Sequence, residues 1–557
     1  MTSHTEASPS SPSPARGSRF GGYAVLVAAG IFLSRISGLV REKVFAHFLG
    51  NSDAAGVFKA ALRIPNVLQN LFGEGVLSAS FIPVYARLLA EGDEETAGRL
   101  AGAVASLLAL VVSILVLLGV IFTPQLLFVI APGFKGAVRE LTITVVRIMF
   151  PAIGMLVLSA WCLGILNSHR RFFLSYVAPV LMNVVMVATL VFFGLRSSKE
   201  SLAIAAAWGT VVGAGAQFLV QVPFVLRYER KLRFRIDRLL EPLRQVVRNF
   251  VPVVISRGVV QVSAYIDSLI ATLLGTAAVS ALAYAQTIYT LPVSLFGMAV
   301  AASELPQMSG ATGTPEEVRE VLRTRIQRGA RQIAFFVIPS IVAFLAIGDV
   351  LVAALFQGGA FHAEDTRYVW YILIGSTIGL LAATLGRLYS SGFYALRDTR
   401  TPLNYAIARI VLTATLGYLF ALPLRPLLVA ALQALHVPLP LMQGGTRPLG
   451  AIALTATAGV AGWVEYLLLR RGLQRRIGNV ESNTGYTLKL WVAALLSGAL
   501  AAVANHFLLH TFADRLPFHH VAEAILVAGL FGVIYLAATI ALRIPESRSL
   551  MARFSRR

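Results

Sequence analysis

Four arginines fall inside segments apolar enough to span a bilayer: Arg35 and Arg41 in the first, Arg63 in the second and Arg257 near the middle of the chain. A guanidinium keeps its charge, and one at the centre of a hydrocarbon core costs about 2.5 kcal/mol or more. It persists there only beside water, an acid or an anionic ligand. Several together describe a wet chamber that holds something negative. In the second segment Arg63, Asn66, Asn70, Glu74 and Ser78 share one face at the helical period. In the seventh, Arg257, Gln261, Tyr265, Ser268 and Thr272 form a similar stripe. In the first, Arg35, Gly38 and Glu42 share a face, while Arg41 points elsewhere on a broad arc, where Arg41-Glu42-Lys43 reads either as part of the site or as the helix end at the interface. Glu42, Glu74 and Asp267 can each neutralise one arginine, so ion pairs in a wet crevice are the competing reading. The surplus of cations favours a phosphate or pyrophosphate, which arginine grips with two parallel N–H bonds.

The elements that carry these residues are legible from composition. Of 557 residues, 57% are hydrophobic and only 13% are charged, too little charge to cover a soluble protein of this length. About fourteen apolar runs of roughly 20 residues, separated by short polar turns, describe an all-α polytopic membrane protein. With a cytoplasmic N-terminus, Lys and Arg concentrate on the cytoplasmic side, above all in the run 227–248 and the tail 553–557. That asymmetry accounts for the net charge of +21 without nucleic acid and makes anionic membrane lipids the partners of the basic face. Arg147, Arg387 and Arg409, also in or near apolar runs, read equally well as snorkelling or interhelical pairs.

The chain repeats itself. Phe81-Ile82-Pro83 matches Glu304-Leu305-Pro306, Ala131-Pro132-Gly133-Phe134 matches Phe356-Gln357-Gly358-Gly359, and His169-Arg170-Arg171 before Pro179 matches Arg397-Asp398-Thr399-Arg400 before Pro402, all at an offset of about 223 residues. The organisation that follows is a disordered cytoplasmic N-terminus at 1–19, a six-helix lobe at 20–228 and a basic cytoplasmic linker at 229–247. A second six-helix lobe follows at 248–480, two further helices at 481–545 and a basic cytoplasmic tail at 546–557, the lobes enclosing a central cavity. The first apolar run lacks a small-residue cleavage site and reads as a retained anchor. A long Pro/Gly-rich connection, 425–449, lies on the outer side. The single cysteine, Cys162, rules out an internal disulfide and offers no metal cluster. With no phosphate-binding Gly-rich loop, zinc-protease motif or nucleophile elbow, the chain reads as a transporter, not an enzyme, with no cofactor. Its work then comes from Na+, H+, the membrane potential or the substrate's own gradient.

The runs 33–42 (LSRISGLVRE), Pro65-Asn66 through Phe72-Gly73-Glu74-Gly75, and Phe81-Ile82-Pro83 resemble the MurJ (MviN) lipid II flippases. So do Ala131-Pro132-Gly133-Phe134, Ile165-Leu166-Asn167 with Arg171-Phe172, Ala178-Pro179 with Asn183, Leu355-Phe356-Gln357, and Gly392-Phe393-Tyr394 with Thr401-Pro402. The resemblance weakens after about residue 420. It implies the MOP exporter fold, two six-helix lobes in a V around a cavity, with the last two helices shaping a lipid-tail groove. It also implies a bacterial inner-membrane protein that moves undecaprenyl-pyrophosphate-linked peptidoglycan precursor from the inner to the outer leaflet by alternating access, in the company of peptidoglycan synthesis proteins. Arg35 and Arg41 match arginines that meet the pyrophosphate, Glu74 the acid of the F-x-E-G run, and Arg63 a position that is often basic. Three positions depart from the pattern: Gln69 and Thr287 stand where arginines are common, and Gly56 where an aspartate is usual, with Asp53 close by. Arg257 is then the residue expected to replace a missing cation. Another MOP-type exporter, or a non-transporting scaffold for wall synthesis, is the alternative reading.

Overall fold

A computed structural model describes residues 17–235, 240–434, 447–480, 484–509, 511, 516 and 518–548. The side chains of 17–28, 74, 255–264, 432, 447–448 and 508–509 lie outside that description. The first half of the chain folds as α1 (Gly17–Leu49), α2 (Asp53–Phe72), α3 (Glu74–Ser80), α4 (Ile82–Ala90), α5 (Glu94–Ile121), α6 (Thr123–Ile130), α7 (Gly136–Ser168), α8 (Phe172–Gly194) and α9 (Lys199–Tyr228). The second half follows as α10 (Glu241–Leu274), α11 (Thr276–Pro292), a π-helical turn (Val293–Met298), α12 (Ala299–Ser309), α13 (Pro315–Ala346), α14 (Gly348–Phe356), α15 (Ala363–Ala395), α16 (Arg400–Ala421), α17 (Arg425–Ala434) and α18 (Arg447–Ile477). Two more, α19 (Thr484–Ala504) and α20 (His519–Ala541), close the chain.

Eleven helices or continuous helical paths among the described residues are long and apolar enough to cross a membrane; α1, the path α2–α4 and α10 bring the crossings to fourteen. Those three are the ones that carry the arginine stripes. Large apolar side chains such as Leu117 (60% exposed) and Val533 (67% exposed) stand on the outside, an aggregation surface in water but the ordinary outer face of a helix bundle in lipid.

The internal repeat is visible in element lengths. Helices α1 and α10 have 33 and 34 residues, α7 and α15 have 33 each, α8 and α16 have 23 and 22, and α9 and α18 have 30 and 31. A short helix of 8 or 9 residues precedes α7 and α15 alike. The matched turns after α7 and α15 close in the same way. Arg170 and Arg397 both adopt the left-handed conformation, at φ 61° and 58°. The next amide donates back to the helix in each case, Arg171 N to Leu166 O at 2.8 Å and Asp398 N to Phe393 O at 2.9 Å. These are the C-terminal caps that satisfy orphaned helix carbonyls.

The bundle has two ends. The linker end carries residues 229–235; the far end carries the α1–α2 turn, α6 and α14. The seventh crossing begins at Glu241 with Pro242 in its first turn, where proline's fixed φ suits a helix start, so 241–247 belong to α10 and not to the linker. Residues 229–235 are docked rather than free. A Cβ on Gly98 would stand 2.5 Å from Lys231 O, and one on Gly102 2.2 Å from Arg233 O. Lys231 and Arg233 pair with Glu94 and Glu95 at 3.4 and 3.5 Å. Two glycines one turn apart on α5 thus form the seat for the linker backbone. The predicted N-terminal segment up to residue 16, most of the outer connection (435–446) and the end of the basic tail (549–557) lie outside the described residues. Replacing Gly102 with Leu should expel the linker, and limited trypsin digestion of the purified protein should then cut between Lys231 and Arg235 much faster than in the unaltered chain.

Candidate functional site: a cationic crevice between the two halves

Helices α1–α9 pack mainly among themselves, as do α11–α18, and the two sets meet where α1 and α2 face α10, α11 and α14. The predicted cations lie on this seam. Arg35, exposed midway along α1, reaches across it: Nη1 donates to Ser294 Oγ at 3.2 Å in the π-helical turn. Arg41 lies two turns inside α1, not at its end, because the helix continues to Leu49. Its Nη1 donates to Asn183 Oδ1 on α8 at 3.1 Å, and its Nη2 pairs with Glu42 Oε1 at 2.9 Å. The other Glu42 oxygen accepts from Lys59 on α2. Asn183 in turn donates to Ser37 Oγ at 2.8 Å, and the Lys59 ammonium sits over the Phe45 and Tyr284 rings at 4.4 and 5.3 Å. Two cations therefore share one carboxylate, with Glu42 and Lys59 each only 8% exposed and Arg41 half-buried. The cluster keeps one net positive charge.

Lys59 is the functional residue that sequence reasoning passed over. It sits one turn before Arg63, so the polar stripe on the second crossing could have been traced back to it. Arg63 itself is half-buried, and its carbonyl oxygen accepts from Tyr265 OH on α10 at 2.8 Å, which brings the second and seventh stripes together. Asn66 and Asn70 are exposed. Ser268 and Thr272, by contrast, are buried and face an apolar pocket with Arg63 and Tyr265. Arg35 and Arg41 take other partners, so the predicted residues form neighbouring groups along one seam, not a single knot. The side chains of Glu74, Arg257 and Gln261 lie outside the described residues, and with them the pairing of Arg35 with Arg257. Thr287, half-buried, donates to its own helix at Ala283 O, 3.0 Å away. Of the remaining membrane arginines, Arg147 donates to Val120 O at 3.2 Å and Arg409 pairs with Glu465 at 3.0 Å. The buried Oδ1 of Asp267 has no hydrogen-bond partner among the described residues.

The far end of the seam is sealed by hydrogen bonds, three of them onto backbone carbonyls. Ala360 N donates to His47 O at 2.7 Å, Lys43 Nζ to Ala354 O at 2.7 Å and Tyr284 OH to Gly50 O at 2.8 Å. Asp53 and Asn51 accept from Thr276 and Ser280. Gly56 permits this approach, since a Cβ there would stand 2.4 Å from Thr276 O. The position that departs from the family's aspartate is thus a contact point, and Asp53, one turn earlier, reaches the other half.

An internally repeated, two-halved bundle with fourteen helical crossings among the described residues, cations along the seam and one end sealed has the architecture of a polytopic membrane transporter. The sequence profile of the family described as "Lipid II flippase MurJ" matches residues 45–522, and the chain belongs to that family. It is 30% identical to "Lipid II flippase MurJ" of Burkholderia cenocepacia over 87% of this chain and 89% of that one. It is 26% identical to "Probable lipid II flippase MurJ" of Vibrio cholerae over 91% and 93%. Among solved structures it is similar in fold to "Lipid II flippase MurJ, inward closed conformation", with a TM-score of 0.72, 21% identity, and coverage of 93% of this chain and 99% of that one. An inward-facing multidrug-resistance MATE transporter of the MOP superfamily follows at a TM-score of 0.61, 19% identity and coverage of 81% and 98%.

Two outcomes are expected. Lys59→Met leaves Glu42 with one cation fewer and should destabilise the protein by about 3–5 kcal/mol, the usual effect of removing one partner from a buried pair. Lys59→Met combined with Glu42→Gln should recover much of that loss in thermal unfolding of the detergent-solubilised protein. Gly56→Leu should prevent the far end from sealing, so that a cysteine at Ala278, in a Cys162→Ser background, becomes reactive to a water-soluble maleimide.

Proposed function

We infer that this chain is a lipid II flippase, carrying the undecaprenyl-pyrophosphate-linked peptidoglycan precursor from the inner to the outer leaflet of the bacterial cytoplasmic membrane. The observation that carries the reading is the surplus of positive charge on the seam. Among the described residues Arg35 meets only a neutral hydroxyl, and Arg41 with Lys59 outnumbers Glu42 by one. Among the described residues Arg63 has no acid within ion-pair distance. In a low-dielectric crevice such a surplus favours a multiply charged anion, and arginine matches the geometry of phosphate oxygens. Membership of the lipid II flippase family supplies the identity of the anion.

The cycle is alternating access. The linker end is cytoplasmic in this reading, which puts the docked basic segment on the inner face in keeping with the positive-inside rule. The sealed far end then faces outward, and the precursor enters from the cytoplasmic side. Arg35 holds the pyrophosphate through a contact that spans both halves, so that binding an anion there competes with the Arg35–Ser294 hydrogen bond and loosens the seam. A drug exporter on the same fold would need an acidic crevice for cationic compounds, and the charge balance opposes it.

The test is a bacterium depleted of its own flippase and supplied with this chain, with lipid II on the outer leaflet measured by its accessibility to an externally added lipid II-cleaving toxin. The unaltered chain should restore growth and accessibility. Arg35→Ala and Arg41→Ala should each restore neither while reaching the membrane at normal levels. Full growth with both variants would contradict the reading.

A further inference from the structure

The seam holds a second kind of space. Between α2, α5–α7 and α10 lies a cavity of about 670 Å³ with almost wholly apolar walls. It extends from the level of Leu71 and Leu115 to Phe122 and Thr272 near the far end. It opens sideways past Leu118, Phe122 and Val129, which are 45, 48 and 67% exposed. Helix interiors pack to near-crystalline density, so a void of this size at a lipid-facing opening is a place for hydrocarbon. Among the described residues one charge touches it. Arg63 lines the cavity at the corner where the polar face of α2 begins, and the exposed Asn66 lies just beyond. Among the described residues its guanidinium has no hydrogen-bond or ion-pair partner. Ser268, also on the wall, has no hydrogen-bond partner for its hydroxyl among the described residues.

Depth decides what fits. Arg63 lies about 15 Å along the axis from the start of α2, at 1.5 Å per residue, in a hydrocarbon core about 30 Å thick. It therefore sits near mid-membrane. A phospholipid resting in either leaflet keeps its phosphate at headgroup level and offers no anion there. A lipid in transit does, because its charged group passes through the middle while its tail must stay in hydrocarbon. We propose that this cavity lodges the first isoprene units of the transported lipid's prenyl tail while Arg63 holds its phosphate at mid-passage, the rest of the tail leaving sideways past Leu118 and Val129. The inference rests on the flippase reading above and adds a tail site on a flank of its own. Helices α19 and α20 pack on α13 and α14, and none of these four lines the cavity.

The experiment uses the full-length protein in nanodiscs and three photoreactive probes: a polyprenyl diphosphate with benzophenone near its charged end, the matching uncharged polyprenol, and a photoreactive phosphatidylglycerol. The diphosphate probe should label the segment 115–130 about tenfold more than the polyprenol does, a charge-assisted hydrogen bond's share of affinity. Arg63→Gln should bring the two probes level. Val67→Trp, which fills the cavity from α2, should remove the labelling in 115–130 and leave any labelling of α19 and α20 in place. Equal labelling by all three probes, or diphosphate labelling confined to α19 and α20, would overturn the proposal, as would an unchanged preference in a correctly folded Arg63→Gln. Lipid II transport by the unaltered protein is measured in the same nanodisc-derived preparation after reconstitution into vesicles. Transport without labelling of 115–130 refutes the tail site alone; no transport and no diphosphate labelling anywhere refutes the flippase reading with it.

Discussion

Glu42 organises the part of the protein that does the work. One carboxylate, nearly sealed from solvent, is held by Lys59 from α2 and by Arg41 from its own helix, and Arg41 extends the link to Asn183 on α8. Each charge alone would be expensive in a membrane interior, and together they remain so unless every hydrogen-bonding position is met. The aromatic rings of Phe45 and Tyr284 around the ammonium, and the amide of Asn183 beside the guanidinium, meet several of them. What is left over is one positive charge at the rim of the crevice. The cluster thereby fixes α1 against α2 and α8 and presents a cation that needs no neutral partner until an anion arrives.

The repeat explains why such a rigid group can sit in a protein that must move. Each half is built from the same succession of helix lengths and closes a linker-end turn with the same left-handed arginine cap. Strong packing lies within halves; between them the far end is joined by a few hydrogen bonds, three onto backbone carbonyls and two between side chains, and by a glycine–threonine approach at Gly56. The ion cluster stays within the first half, so its desolvation need not be repeated in every cycle.

Much of this was legible in the sequence. Fourteen crossings, the repeat and the second stripe follow from hydropathy, turn residues and helical period, because a bilayer forces helices of fixed length with internally satisfied backbones. The family could be identified from its motifs. Arg41 was misjudged because Arg41-Glu42-Lys43 looks like an interfacial end; only the continuation of α1 to Leu49 places it inside. Lys59 was missed because a lone lysine among Val57, Phe58, Ala60 and Ala61 gives no pattern until Glu42 is seen opposite it. Ser268 and Thr272 obeyed the predicted period but turned toward an apolar cavity, since a shared face says nothing about what it meets. Much of the far-end seal rests on backbone carbonyls and on the absence of a side chain at Gly56, neither of which has a signature in sequence.

The central claim is that unneutralised cations on the seam hold a lipid-linked pyrophosphate. Native mass spectrometry of the purified protein with lipid II tests it most directly. Lipid II adducts should weaken by about tenfold with Arg35→Ala and again with Arg41→Ala, each the loss of a charge-assisted contact, while phosphatidylglycerol adducts stay the same. Lipid II binding that is unchanged in both variants would contradict the account.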